Sequence, residues 1–152
     1  MKVCVGGTFN IFHKGHEEIL DKAFETAGKE GIVYIGILVG EMLKNKNFAV
    51  PKEDREKEVK KYLLNNNYEK RSVIKEIYDI YGLAVDMDFD AIVVSPESIK
   101  NAEAINNERI KTGKNPLKII KIPFVLAQDN KPISSTRIHK GEINKEGKIL
   151  KK

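Results

Sequence analysis

The chain has one cysteine, three histidines and no tryptophan in 152 residues. Cys4 has no internal partner for a disulfide, which fits a reducing, cytoplasmic setting. Its place in the apolar run at residues 2–5 marks it as a small buried hydrophobe rather than a reactive thiol. No apolar stretch approaches the roughly 18 residues that would suggest a membrane span, and no leader-like segment follows Met1. So few histidines and cysteines, with no carboxylate at ligand spacing, argue against a structural zinc site. Neither G-x-x-x-x-G-K-[ST] nor G-x-G-x-x-G occurs, which removes the P-loop and the dinucleotide fingerprint. Aromatic platforms interleaved with basic residues, the mark of a surface for single-stranded nucleic acid, are also missing from the five Tyr and six Phe.

What is present describes one globular domain over residues 1–152, since 41% of the residues are hydrophobic and 32% are charged. Lys and Arg exceed Asp and Glu by 27 to 22, giving +5, a modest bias toward polyanionic ligands. The runs at 2–5, 32–40 and 89–95 are short, apolar and rich in β-branched residues, as in strands buried on both faces. Residues 72–80 and 118–125 read as two more strands. Between them, Ile19, Leu20, Ala23, Phe24 and Ala27 recur at helical spacing and stop at Gly28. Pro51 opens a charged helix to about Leu64, on which Arg55, Val59, Tyr62 and Leu63 fall on related faces. Further helices are expected over 99–112 and 134–141, and the lysine-rich end from about 145 is expected to fray. Strands alternating with helices imply a Rossmann-like α/β fold, a doubly wound parallel sheet of five strands, with ligands at the carboxyl ends of the strands.

Two of the loops at those ends are unusual. GGTFNIFHKGH, residues 6–16, follows the first strand and leads into a helix. Glycines there let backbone N–H groups approach an anion, and a helix N-terminus favours phosphate. His13 and His16 could donate to a phosphorus centre as charge develops in transfer, and Gly15 between them removes a side chain from the substrate's path. ISSTRI, residues 133–138, begins a helix after Pro132, with Ser134 or Ser135 able to cap it and Arg137 beside it.

G-T-F with H-x-G-H after the first strand and I-S-S-T-x-I after the last together resemble the nucleotidyltransferase superfamily, which moves an adenylyl or cytidylyl group onto a phosphate. GGTF, LKNKN, VVSPES, AINNERI and SSTRIHKGEINKEG make the chain similar to the archaeal-type phosphopantetheine adenylyltransferase family, related to the adenylyltransferase domain of eukaryotic CoA synthase. The resemblance covers nearly the whole chain. It implies ATP and 4'-phosphopantetheine as substrates in coenzyme A biosynthesis, giving dephospho-CoA and pyrophosphate. Mg²⁺ would be held mainly by the ATP phosphates, with no metal ligand from the protein, and neither nucleic acid nor membrane would be a partner. A same-fold enzyme acting on nicotinamide mononucleotide, FMN or glycerol phosphate, or a non-catalytic nucleotide- or RNA-binding domain, are the alternatives.

By motif position the resemblance implies that Gly7, Thr8 and Phe9 shape the phosphate loop, Thr8 orienting the acceptor. His16, assisted by His13, would bind the α- and β-phosphates. Lys44 or Lys46 would reach the phosphates from the second loop, and the spacing does not choose between them. Arg109 would hold the triphosphate, Ser134, Ser135, Thr136 and Arg137 would meet the β- and γ-phosphates, and Ser95, Glu97 and Ser98 would line the adenosine side. Asn10 stands where many relatives have Asp, and Asp79-Ile80-Tyr81-Gly82 replaces D-P-Y-G. SPES lacks the arginine pair of the bacterial enzymes. Oligomeric state is not legible in the sequence.

Overall fold

A computed structural model describes residues 1–40 and 48–150. Lys44 and Lys46, expected at the phosphates, lie outside the described residues. Five strands form one parallel sheet: β1 (Lys2–Gly7), β2 (Ile32–Leu38), β3 (Ser72–Ile77), β4 (Ala91–Val94) and β5 (Lys118–Lys121), in the order β3-β2-β1-β4-β5. Among the described residues four α-helices accompany them: α1 (Lys14–Ala27), α2 (Lys52–Asn65), α3 (Ile99–Lys111) and the short α4 (Ser135–His139). The strand order reverses between β1 and β4, which makes the carboxyl ends of these two the expected ligand crevice.

The period-2 alternation of the strands sorts the core into two layers. Val3 and Val5 of β1, Val33 and Ile35 of β2 and Val93 of β4 face α1 and α2, where Leu20, Ala23, Phe24, Val59 and Leu63 cover them. Cys4 and Ile92 face the other way, onto Ala102 and Ile105 of α3 and the turns at 81–89. Burial pushes the Cys4 thiol up to about 12, so it is the inert hydrophobe its place implied. The helix α1 stops at Gly28, whose φ of 84° suits glycine and whose N–H returns to Phe24 O. Asp21 joins α1 to the next layer by accepting from Tyr62 Oη at 2.5 Å and Tyr68 Oη at 3.1 Å.

The strands after β2 are shorter than their apolar runs. β3 ends at Ile77 because Asp79 Oδ1 accepts from the N–H groups of Tyr81 and Gly82 and turns the chain. β5 ends at Lys121, and Pro123 cannot continue a ladder.

The expectation of a frayed end is corrected. Ile143 is fully buried against Ala127 and Ile133. Residues 142–150 fold back through an Ile143–Ile149 bridge and through Gln128 N–H to Gly147 O. Composition suggests a tail there, but the chain has Asn144 and Gly147, which build a tight turn: Asn144 Oδ1 accepts from the N–H groups of Glu146 and Lys148, and Gly147 has φ 86°. Lys145 O then accepts from Lys14 N–H at 2.9 Å, so the tail secures the start of α1.

Candidate active site

His13 is the N-cap of α1, in an extended conformation, and the reciprocal pairing with His16 that begins the helix is made by two imidazoles. His13 Nδ1 accepts from Gly15 N–H at 3.0 Å, and His16 Nδ1 accepts from His13 N–H at 3.2 Å. A neutral imidazole that accepts at Nδ1 carries its proton on Nε2. Both rings are therefore fixed in one tautomer, and among the described residues neither Nε2–H has a hydrogen-bond partner.

The rings stack with centroids 3.9 Å apart, and Phe9 and Phe12 wall His16 at 5.1 and 5.5 Å. Burial lowers His13 to about 4. Burial first, then the neighbouring His13, pushes His16 well below the ordinary histidine range. At neutral pH the site holds two uncharged donors, whose stacking would oppose protonating either ring.

Gly15 has a different reason from the one expected. A Cβ there would stand 2.8 Å from His13 Cε1, so the space belongs to the capping ring rather than to substrate. The helix start is also less open than an orphan N-terminus: the N–H of Lys14 goes to Lys145 O, that of Gly15 to His13 Nδ1 and that of His16 to His13 O. The imidazole Nε2–H groups take the place of backbone donors as the groups free for an anion.

The two ends of the chain meet through Ser135. Its Oγ accepts from Ile11 N–H and donates to Ile11 O, both at 3.0 Å, across 124 residues of sequence. Ser134 caps α4 by accepting from Arg137 N–H at 3.2 Å. Of the hydroxyls in this segment, that of Thr136 has no partner among the described residues. Gly7, Thr8, Phe9, His13, His16 and Ser134 to Thr136 are thus gathered at one end of the sheet. Ser95, Glu97 and Ser98 form a 3-10 turn directly after β4, at the carboxyl edge of the strand next to β1.

Two arginines expected at phosphate are otherwise engaged. Arg109 is only 3% exposed, and its guanidinium donates to the carbonyls of Ala84, Met87 and Asn115, each at 2.8 Å. It lies on the buried face of α3 and ties down the turns covering that side of the sheet, so the structure does not bring it to the site. Arg137 pairs with Asp129, with Glu142 at 3.3 Å and with Pro132 O at 3.1 Å. The carbonyls of Ala84 and Met87 that Arg109 binds, and the Asp129 carboxylate that Arg137 binds, lie in chain segments outside the motifs that drew attention to these arginines.

Other side chains hold the site without belonging to its motifs. Asn10, marked in the sequence only as a departure from the family's Asp, donates to Phe48 O and accepts from Val50 N–H. Phe48 stacks on His139 of α4 at 4.0 Å. Arg55, 2% exposed, donates to Thr8 O, Leu38 O and Val50 O. The available signal was an arginine four and eight residues before Val59 and Leu63, on the buried stripe of α2. Among the described residues no cluster of three His, Cys, Asp or Glu side chains could hold a metal ion.

A parallel α/β domain with neutral imidazole donors and a hydroxyl-rich helix start at its switch point defines a nucleotidyltransferase-type site. The cytidylyltransferase-like family matches residues 4–141, and the chain belongs to that family. Within it the chain belongs with the phosphopantetheine adenylyltransferases. It is 46% identical to the phosphopantetheine adenylyltransferase of Methanosarcina acetivorans, over 97% of this chain and 95% of the relative. It is 38% identical to that of Archaeoglobus fulgidus, over 99% of this chain and all of the relative. A solved structure of a protein of unknown function from Archaeoglobus fulgidus shares the fold with a TM-score of 0.72 and 34% identity, covering 80% of this chain and 89% of that one. No helix among the described residues is long and apolar enough to cross a membrane.

Proposed function

We propose that this chain transfers the adenylyl group of ATP to 4'-phosphopantetheine, forming dephospho-CoA and releasing pyrophosphate in the cytoplasm. The observation that carries the reading is the joining of the β1 loop to α4 through Ser135, which brings the loop that leads to two neutral imidazole donors against the start of the helix that carries the Thr136 hydroxyl. Relatives of full length with this activity in their names support it.

A phosphomonoester with a second pKa near ~6 is mostly dianionic at neutral pH, so the acceptor needs no general base. The acceptor oxygen attacks the α-phosphorus, the bond to the β-phosphate bridge breaks, and the electron pair leaves with pyrophosphate. The protein's task is alignment and charge stabilisation. Thr8 orients the acceptor, while His16 Nε2–H and His13 Nε2–H donate to the phosphate oxygens where negative charge grows. Uncharged donors suit this role because they strengthen with the developing charge and release pyrophosphate afterwards. Mg²⁺ would come bound to the ATP phosphates, where it would offset charge on the β- and γ-phosphates. Lys44 or Lys46 and Ser95 to Ser98 complete the ATP side.

The experiment is to incubate the protein with Mg·ATP and, in turn, phosphopantetheine, nicotinamide mononucleotide, FMN or glycerol phosphate, measuring pyrophosphate. Release with phosphopantetheine alone is expected. Release with another acceptor in its place would reassign the substrate, and silence with all four would overturn the transferase reading.

A further inference from the structure

Val50 is held on both sides of its residue. Its N–H donates to Asn10 Oδ1 at 2.7 Å, and its carbonyl accepts from Arg55 Nε at 2.8 Å. Asn10 Nδ2 also donates to Phe48 O at 2.8 Å. The same buried guanidinium donates through one nitrogen to Thr8 O at 2.9 Å and to Leu38 O at 2.7 Å. Leu38 is the last residue of β2, Val50 stands just before α2, and Thr8 and Asn10 belong to the loop between β1 and α1.

Two side chains therefore tie three separate pieces of backbone together. The chain is fastened where it leaves β2 and again where it returns before α2, and both fastenings lead to the loop that carries Thr8. Arg109 shows what a buried arginine does elsewhere in this fold: it also serves three carbonyls, but those lie in turns outside the β1 loop. The rigid planar fork of arginine meets carbonyls in several directions at once, and a lysine ammonium on its flexible stem does not hold that geometry. Asparagine at residue 10 both donates and accepts. Aspartate there would still accept from Val50 N–H but would set an oxygen against Phe48 O.

We propose that Arg55 and Asn10 are positioning residues for adenylyl transfer, a clamp that sets the β1 loop against the segments on either side of the second loop. The assignment rests on the reading of the β1 loop as the transfer site. Neither residue need touch substrate; together they place Thr8 and its neighbours relative to the ATP side. Misplacing reacting groups by ~1 Å can cost about 100-fold, so kcat is where the loss falls.

The test compares Arg55→Lys and Asn10→Asp with the unaltered protein in steady-state pyrophosphate release and in amide hydrogen exchange without ligands. Arg55→Lys is expected to lower kcat by at least about 30-fold, and Asn10→Asp by about 10-fold, with KM for both substrates within about threefold. Exchange at residues 8–12 and 48–50 should quicken about tenfold in both variants while the amides of β1 and β2 stay protected. In Arg55→Gly, added guanidinium ion should restore part of kcat, whereas equal sodium chloride should not. Unchanged kcat in both variants, or unchanged exchange at those two segments, would overturn the clamp. So would a fall in melting temperature with kcat per folded molecule intact, the outcome expected of a merely structural arginine. Failure of the unaltered protein to release pyrophosphate would instead sink the transferase reading, and the exchange data would still decide the clamp.

Discussion

His13 and His16 spend their Nδ1 atoms on the backbone of their own turn, and this is what makes their Nε2–H groups dependable donors. His16→Ala is expected to lower kcat by at least ~100-fold, as loss of one oxyanion-type donor typically does, with circular dichroism unchanged. A rate within a few-fold of normal would remove His16 from the mechanism. The depressed histidines also predict a pH effect on stability. His13 titrates at about 4 in the folded chain and near ~6.5 when unfolded, so the unfolded state takes the proton first as pH falls. Its stabilising share is complete above ~6.5, is lost as pH falls toward 4 and levels off below; for this buried ring it amounts to about 3 kcal/mol. His16 adds in the same direction. Urea unfolding at pH 7.5, 5.5 and 4.5 should show the decline, and His13→Asn, which keeps a capping oxygen, should flatten it. A slope unchanged by that substitution would contradict the burial of the ring.

Among the elements, the closing hairpin returns the end of the chain to the body of the domain. Ile143 lies under it with no exposed surface, so Ile143→Ala should cost about 2–5 kcal/mol in urea unfolding. A cost near zero would mean that the end frays after all. The start of α1 was legible from residue order: His-x-Gly-His after a buried strand, then an apolar stripe at helical spacing up to Gly28. The pairing of Ser135 with Ile11 was not legible in that detail, since a serine before a helix reads equally well as its cap, the role that Ser134 fills. Arg55 and Arg109 were less legible still. An arginine on a buried helical stripe announces that it needs acceptors, but the carbonyls it finds belong to Thr8 and Leu38 in one case and to Ala84 and Met87 in the other.

At the scale of the whole molecule, a net charge of +5 meets substrates that are polyanions. Attraction of this kind is screened over about 10 Å at ~0.1 M salt. Raising sodium chloride from about 50 to about 300 mM should therefore raise KM for ATP several-fold while kcat changes little, because the donors proposed for the transfer step, His13 and His16, are uncharged at neutral pH. Steady-state kinetics at fixed free Mg²⁺ would check it, and a fall in kcat alone would point to charged groups in the transfer step.

The sequence by itself determined the parallel α/β fold and the two motifs that follow its first and last strands. These follow from local periodicity and from residue chemistry repeated within a few positions. Only the tertiary structure decided which polar side chains remain free. A donor or acceptor is available to substrate when no backbone group claims it first, and that competition is settled between Thr8 and Arg55, Ile11 and Ser135, Lys14 and Lys145, residues brought together by the fold alone.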